Sequence, residues 1–196
     1  MHLRNYLEPL KRCRGPHQVV VPTMGAAREW MRLGTHPLDF VYAPSAMGQA
    51  PTLGLGLALA RPDRQVIVLN GDGCQLMNLG CLATISALPV PNLVLIIVEN
   101  GVYEVTGGQL TTASLRGRAT SKPVAFDTIA RGAGWMSVFH FQSPEEWAGE
   151  VEAALSAPGP TCVVWKVDPD PEGAVPKSPA PAAARARDFR RQFRTL

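Results

Sequence analysis

Val66-Ile67-Val68-Leu69-Asn70-Gly71-Asp72-Gly73-Cys74 runs a β-branched segment straight into an aspartate set between two glycines. The apolar part reads as a buried strand, and the glycines mark a tight turn leaving it. The same grammar returns one helix-length later, where Leu93-Val94-Leu95-Ile96-Ile97-Val98 leads into Glu99-Asn100-Gly101-Val102. Two apolar strands with a helical stretch between them predict a βαβ unit and a parallel sheet. Both motifs then lie at the carboxyl ends of strands, the edge where open α/β sheets bind ligands. Asp72 and Asn100 would offer a carboxylate and an amide oxygen to one hard cation such as Mg²⁺, which keeps positions for phosphate oxygens and water. Gly71 and Gly73 let backbone amides approach an anion, and the helix that follows aims its positive end there, with Cys74 at its start. Together the motifs predict a metal-bridged diphosphate.

Working outward, strands are expected at 18–22, 39–42, 65–70, 92–98, 135–141 and 161–167. That gives an α/β fold, a three-layer α/β/α sandwich with a mainly parallel sheet of about six strands. Between strands, Pro51 to Ala60 interleaves Leu53, Leu55, Leu57 and Leu59 with Gly54, Gly56, Ala58 and Ala60. With no β-branched member after Thr52 it fits a buried helix whose glycines permit close approach to the sheet. Leu76, Leu79, Leu82, Ile85 and Leu88 recur at helical spacing and predict one helix over 75–88, stopped by Pro89 and Pro91. Ser143-Pro144-Glu145-Glu146 carries an N-cap serine, a proline at the first helical position and a glutamate three after the serine, so a helix should run to about Ser156.

After Val167 the text changes, with prolines at 169, 171, 176, 179 and 181. The expected organisation is a cofactor-binding domain over 1–167 and a Pro-rich linker with a basic tail over 168–196. Arg185, Arg187, Arg190, Arg191 and Arg194 supply a good part of the formal charge of +3, so the body is close to neutral. No aromatic-interleaved basic surface speaks for a nucleic-acid partner. Cys13, Cys74, Cys81 and Cys162 form no C-x-x-C pair, which argues for structural thiols. No apolar run reaches the roughly 18 residues of a membrane span, and nothing behind Met1-His2-Leu3-Arg4 opens a signal peptide. The expected setting is a reduced cytoplasm, with no membrane partner.

Asp72 followed by Asn100 across a helix and a strand resembles the diphosphate-and-metal signature of thiamine diphosphate enzymes. Glu99 stands where that family has the first of two asparagines, and Asn100 matches the second, the metal ligand. The resemblance implies that the metal is held by Asp72, Asn100 and the backbone carbonyl of Val102, with Tyr103 also against the cofactor. Ser45-Ala46-Met47-Gly48 is similar to the family segment that lies against the cofactor: Met47 would wedge between the two rings, and the Ser45 carbonyl would receive the aminopyrimidine N–H. Asn78 and the run Thr106-Gly107-Gly108-Gln109 look most like the loops of sulfopyruvate and phosphonopyruvate decarboxylases, in particular the separate small β subunit of the former. Those residues would face the substrate, with His36, Arg116, Arg118 and Lys122 available to an anionic substituent.

The resemblance implies thiamine diphosphate and Mg²⁺ as cofactors and a 2-oxo acid, a 3-substituted pyruvate, as substrate, with CO₂ and an aldehyde as products. It also implies an absence. The glutamate that activates the cofactor belongs, in the family, to a pyrimidine-binding domain, and this chain has one sheet's worth of strands. No residue of this chain is therefore expected to activate the cofactor, and a partner subunit carrying that glutamate is expected in an α2β2 or larger hetero-oligomer. A carboligase or acyl-transfer subunit would use the same half-site, and a non-catalytic cofactor-binding regulatory module would keep it without the chemistry. A dinucleotide-binding Rossmann domain is excluded because Gly54-Leu55-Gly56 lacks the third glycine and lies inside a helical pattern.

Overall fold

The computed structural model describes residues 1–114, 122–170 and 177–195. Arg116 and Arg118 lie outside them. The strands are β1 (Val19–Pro22), β2 (Val66–Gly71), β3 (Leu93–Glu99), β4 (Val102–Tyr103), β5 (Gln109–Leu110), β6 (Ser137–Phe141) and β7 (Thr161–Lys166). Five of them form one sheet in the order β1-β2-β3-β7-β6, and every pairing is parallel. β4 and β5 make a separate two-stranded hairpin.

The apolar runs alternate faces, and both faces are covered. Val19, Val21, Val66, Val68, Leu93, Leu95 and Ile97 point into one core. Val20, Ile67, Leu69, Val94, Ile96 and Val98 point into the other. A strand buried on both sides has no polar face, which is why these segments read as continuous apolar runs in the sequence. On the first face lie α3 (Ala50–Ala60), α5 (Cys81–Ser86) and α6 (Phe126–Gly132). On the second lie α1 (Leu3–Cys13), α2 (Met24–Arg32) and α7 (Pro144–Ser156). The result is the expected three-layer sandwich. At the head of α7 the Ser143 hydroxyl accepts from the Glu146 amide at 3.1 Å, and Glu146 Oε2 accepts from Gln142 N at 3.0 Å.

The sheet has five strands and not about six. Residues 39–42 lie beside β1 but make only two isolated bridges, Val20 with Asp39 and Thr23 with Tyr42. Pro22 has no N–H to give that edge, and Pro37 and Pro44 bound the segment. The single helix expected over 75–88 is two, α4 (Asp72–Leu76) and α5. Between them Asn78 N bonds to Gln75 O, Cys81 N to Asn78 O and Leu82 N to Leu79 O, so the i−4 ladder gives way to tighter i−3 turns.

Helix α1, with Pro9 inside it, has no counterpart in the sequence-based expectation, and neither do α2 and α6. Proline in a helix removes a hydrogen bond, but Tyr6, Leu7 and Leu10 are buried and hold α1 on the sheet. The basic closing segment is α8 (Ala182–Thr195). Its Phe189 and Phe193 are buried in the first core, Phe189 lying 4.9 Å from the Phe40 ring, and Arg185 bonds to the carbonyls of Val41 and Ala43. Among the described residues no helix is long and apolar enough to cross a membrane.

Candidate cofactor site at the sheet edge

Strands β2 and β3 are paired in parallel with Gly71 opposite Val98, so both chains leave the sheet at the same level. Asp72 opens α4 with Gly71 as its N-cap, and it is 2% exposed. Gly101 has φ +76, a left-handed turn that glycine adopts without penalty, and the turn points its amide at Asp72 Oδ2 over 3.1 Å. The Thr111 hydroxyl donates to the same oxygen at 2.8 Å. Burial pushes the Asp72 carboxyl up to about 6; the bonds from Thr111, Gly73 and Gly101 pull the other way, and the charge of Glu99 adds to the rise.

Asn100 is fixed at both ends of its amide. Its Oδ1 accepts from the Val102 amide at 2.9 Å, and its Nδ2 donates to Glu104 Oε1 at 2.8 Å. Tyr103 covers Gly73: a Cβ at Gly73 would come within 2.5 Å of the Tyr103 ring, so the ring and the missing side chain fit each other. At Gly71 a Cβ would meet no protein atom within 4 Å. The need for glycine thus comes from Tyr103 at position 73, while position 71 borders open space.

That space is a cavity of about 440 Å³. Met47, Gly71, Asp72, Gly73, Cys74, Asn100, Val102, Tyr103 and Thr106 line it. Ser45, Ala46 and Gly48 do not; Gly48 turns behind Met47 with φ +84, and the Ser45 hydroxyl lies 3.0 Å from Met24 Sδ. Asn78 does not face the cavity either, because its Nδ2 donates to the Gly48 carbonyl at 2.9 Å. Gly107, Gly108 and Gln109 stand outside the lining, with Gln109 folded back on Thr106 through bonds of 2.8 and 2.9 Å. His36 is elsewhere, accepting at Nδ1 from Leu38 N, and Lys122 is exposed and not part of the wall. The Cys74 thiol is buried, which raises it to about 11, so at neutral pH it is a thiol and not an anion competing with phosphate.

Three features were not found in the sequence. Thr23-Met24-Gly25 leaves β1 at the same edge and forms another wall of the cavity, with Met24 at φ 47. The signal was present, a polar turn with glycine after Val19-Val20-Val21, and it is the one used for the other two strands. Thr111 and Glu104 gave no local signal. They reach the site only through the hairpin.

The donor set can be tested against a cation. Among the described residues Asp72 forms no salt bridge, so a buried carboxylate stands there without a positive partner, and the burial that raises its pKa disfavours its charge. A divalent cation would offset it. Among the described residues no three His, Cys, Asp or Glu side chains gather into an all-protein cage. A carboxylate, an amide oxygen and open room suit Mg²⁺, which completes its shell with phosphate oxygens and water.

Residues 22–165 match the family model described as thiamine pyrophosphate enzyme, C-terminal TPP binding domain. The chain belongs to this family. It is 38% identical over 174 residues to phosphonopyruvate decarboxylase of Streptomyces viridochromogenes, covering 87% of this chain and 41% of the relative. The chain thus spans less than half the length of that protein. It is 36% identical over 143 residues to sulfopyruvate decarboxylase subunit beta of Methanocaldococcus jannaschii, covering 72% of this chain and 71% of the relative. A solved structure from Mycobacterium smegmatis, of an enzyme assigned as thiamin diphosphate-dependent, superposes with a TM-score of 0.70 at 23% identity, covering 87% of this chain and 32% of that one. That likeness concerns the fold.

Within the thiamine pyrophosphate domain, Glu99 departs from the paired asparagines of the resemblance, and its surroundings account for it. Glu99 lies opposite Lys166 in the β3–β7 register, and the two side chains form an ion pair. The extra anion beside Asp72 is therefore matched from the neighbouring strand.

Proposed function

We propose that this chain is the diphosphate- and Mg²⁺-binding subunit of a heteromeric thiamine diphosphate-dependent decarboxylase acting on a 3-substituted pyruvate, sulfopyruvate-like or phosphonopyruvate-like. The observation that carries the proposal is Asp72, a buried carboxylate without a cationic partner among the described residues, facing a cavity shared with Asn100. Asp72, the Asn100 amide oxygen and the Val102 carbonyl would hold the cation, and the Gly71–Cys74 turn would receive the diphosphate. When bound, the cofactor supplies an electron sink for the electrons released with CO₂. The chain's own part is to orient it: Met47 walls one side of the cavity, and Tyr103 keeps the Gly73 turn in place. Relatives named as sulfopyruvate decarboxylase subunit beta, one of them matched over 71% of its length, support a partner subunit of the pyrimidine-binding type. An α2β2 or larger assembly follows if the partner brings the activating glutamate. Four free cysteines agree with a reducing cytoplasm.

The test is reconstitution. The chain is purified alone and with a pyrimidine-domain subunit, and CO₂ release from sulfopyruvate and phosphonopyruvate is followed with thiamine diphosphate and Mg²⁺. Activity is expected only in the pair and is expected to vanish in Asp72→Ala. Full activity of the single chain, or of the Asp72→Ala pair, would overturn the proposal. An added acceptor aldehyde distinguishes decarboxylation from carboligation by its products.

A further inference from the structure

Glu104 opens the 3₁₀ turn Glu104–Thr106 and borders the cavity half-buried. Its Oε1 accepts from Asn100 Nδ2 at 2.8 Å and from the backbone amide of Asp170 at 2.9 Å. Its Oε2 faces the turn after β1, where a Cβ at Gly25 would lie 3.0 Å away. Segments leaving the ends of β1, β3 and β7 thus converge on one carboxylate.

The chemistry of that convergence decides which way Asn100 points. A carboxylate only accepts, so it takes the nitrogen end of the amide and leaves the oxygen end turned away from it. The oxygen accepts one bond, from Val102 N, and its second lone pair is left for a cation. An amide turned over would present N–H₂ both to Val102 N–H and to the metal, and neither accepts.

We propose that Glu104 is a positioning residue that fixes the Asn100 amide with its oxygen toward the cation, and that it ties this orientation to the turn after β1 and the segment after β7. This rests on the Mg²⁺ reading given above. Partners that orient a metal ligand from outside its shell are worth about 10–100-fold in metal affinity.

The experiment measures Mn²⁺ affinity of the full chain by electron paramagnetic resonance with saturating thiamine diphosphate, with thermal melts in parallel. Glu104→Leu, which removes the acceptor for Asn100 Nδ2, is expected to weaken Mn²⁺ by about tenfold or more. Glu104→Asp keeps the charge but is too short for the bond, and should weaken it similarly. In an Asn100→Asp background the ligand has two like ends, so Glu104→Leu should cost nothing there or improve binding by removing a neighbouring anion. Wild-type affinity in Glu104→Asp, or an equal loss in both backgrounds, would overturn the positioning role. A wild-type chain that takes up no Mn²⁺ would overturn the cation reading itself, and this inference with it.

Discussion

The Thr111 hydroxyl, itself 1% exposed, donates to Asp72 Oδ2 over 2.8 Å from a segment beyond the hairpin. The bond joins the carboxylate at the end of β2 to residues that follow β5, and among the described residues it is one of two donors on that oxygen, with Gly101 N. Thr111→Val keeps the shape and removes the donor, leaving a buried charge less well satisfied. The expected loss is about 1–3 kcal/mol in urea unfolding, while Thr111→Ser stays near wild type. Equal midpoints for the valine and serine variants would refute the role.

Two glycines of α3 should respond oppositely to the same change. A Cβ on Gly54 would sit 2.3 Å from Val68 Cγ2, whereas one on Gly56 would meet nothing within 4 Å. Gly54→Ala forces helix and strand apart and should destabilise by about 1–3 kcal/mol. Gly56→Ala should stabilise by up to about 1 kcal/mol through helix propensity and a less flexible unfolded chain. Thermal melts of the two variants decide it.

Alkaline pH should unfold the protein through Tyr6. Its hydroxyl donates to the Lys166 carbonyl at 2.8 Å, and burial, with Glu146 and Glu145 nearby, pushes its pKa up to about 12. The unfolded chain gives up that proton from its ordinary value of 10, before the native one does, so Tyr6 contributes its stability below pH 10 and loses it as pH rises toward 12. Denaturation midpoints should fall across that window. In Tyr6→Phe they should fall less steeply, with a lower starting value for the missing hydrogen bond.

Thiol labelling should be uneven. Cys74, Cys81 and Cys162 are buried, and burial raises the Cys81 thiol and takes Cys162 to about 12, so both resist ionisation and attack. Cys13 is partly exposed. Native protein at pH 8 should give one fast equivalent with an aromatic disulfide reagent, lost in Cys13→Ser, and the remaining cysteines should react only on denaturation. Rapid labelling of Cys162 in native protein would contradict the packing.

What could be read from the sequence was what local pattern encodes. Val66–Leu69 and Leu93–Val98 announced buried parallel strands, and the glycines beside Asp72 and Asn100 announced the turns that place them together. Asp39-Phe40-Val41-Tyr42 also carries aromatic and β-branched residues that suit a strand, yet it lies next to a strand ending in Pro22, and no window on 39–42 reports a missing donor in a neighbour. Leu76, Leu79 and Leu82 kept helical spacing through a break made by local i−3 bonds, which periodicity does not distinguish. Thr111, Phe189 and Phe193 matter through contacts far along the chain, and such contacts leave no spacing to read; Glu104 meets Asn100 four residues away, but only the folded turn brings the two side chains together.

The two motifs grow from β2 and β3, and each of these strands is hydrogen-bonded on both sides within the sheet. Other walls belong to the turn after β1, an edge strand, and to a hairpin outside the sheet, with the start of α1, residues of α2 and the segment after β7 completing the lining. Amide exchange should therefore grade across the site, slowest beneath Asp72 and Asn100 and fastest at Thr23–Gly25 and Glu104–Thr106. A ligand arriving here would find a floor that opens only when the whole molecule does, and would have to enter by way of the rim.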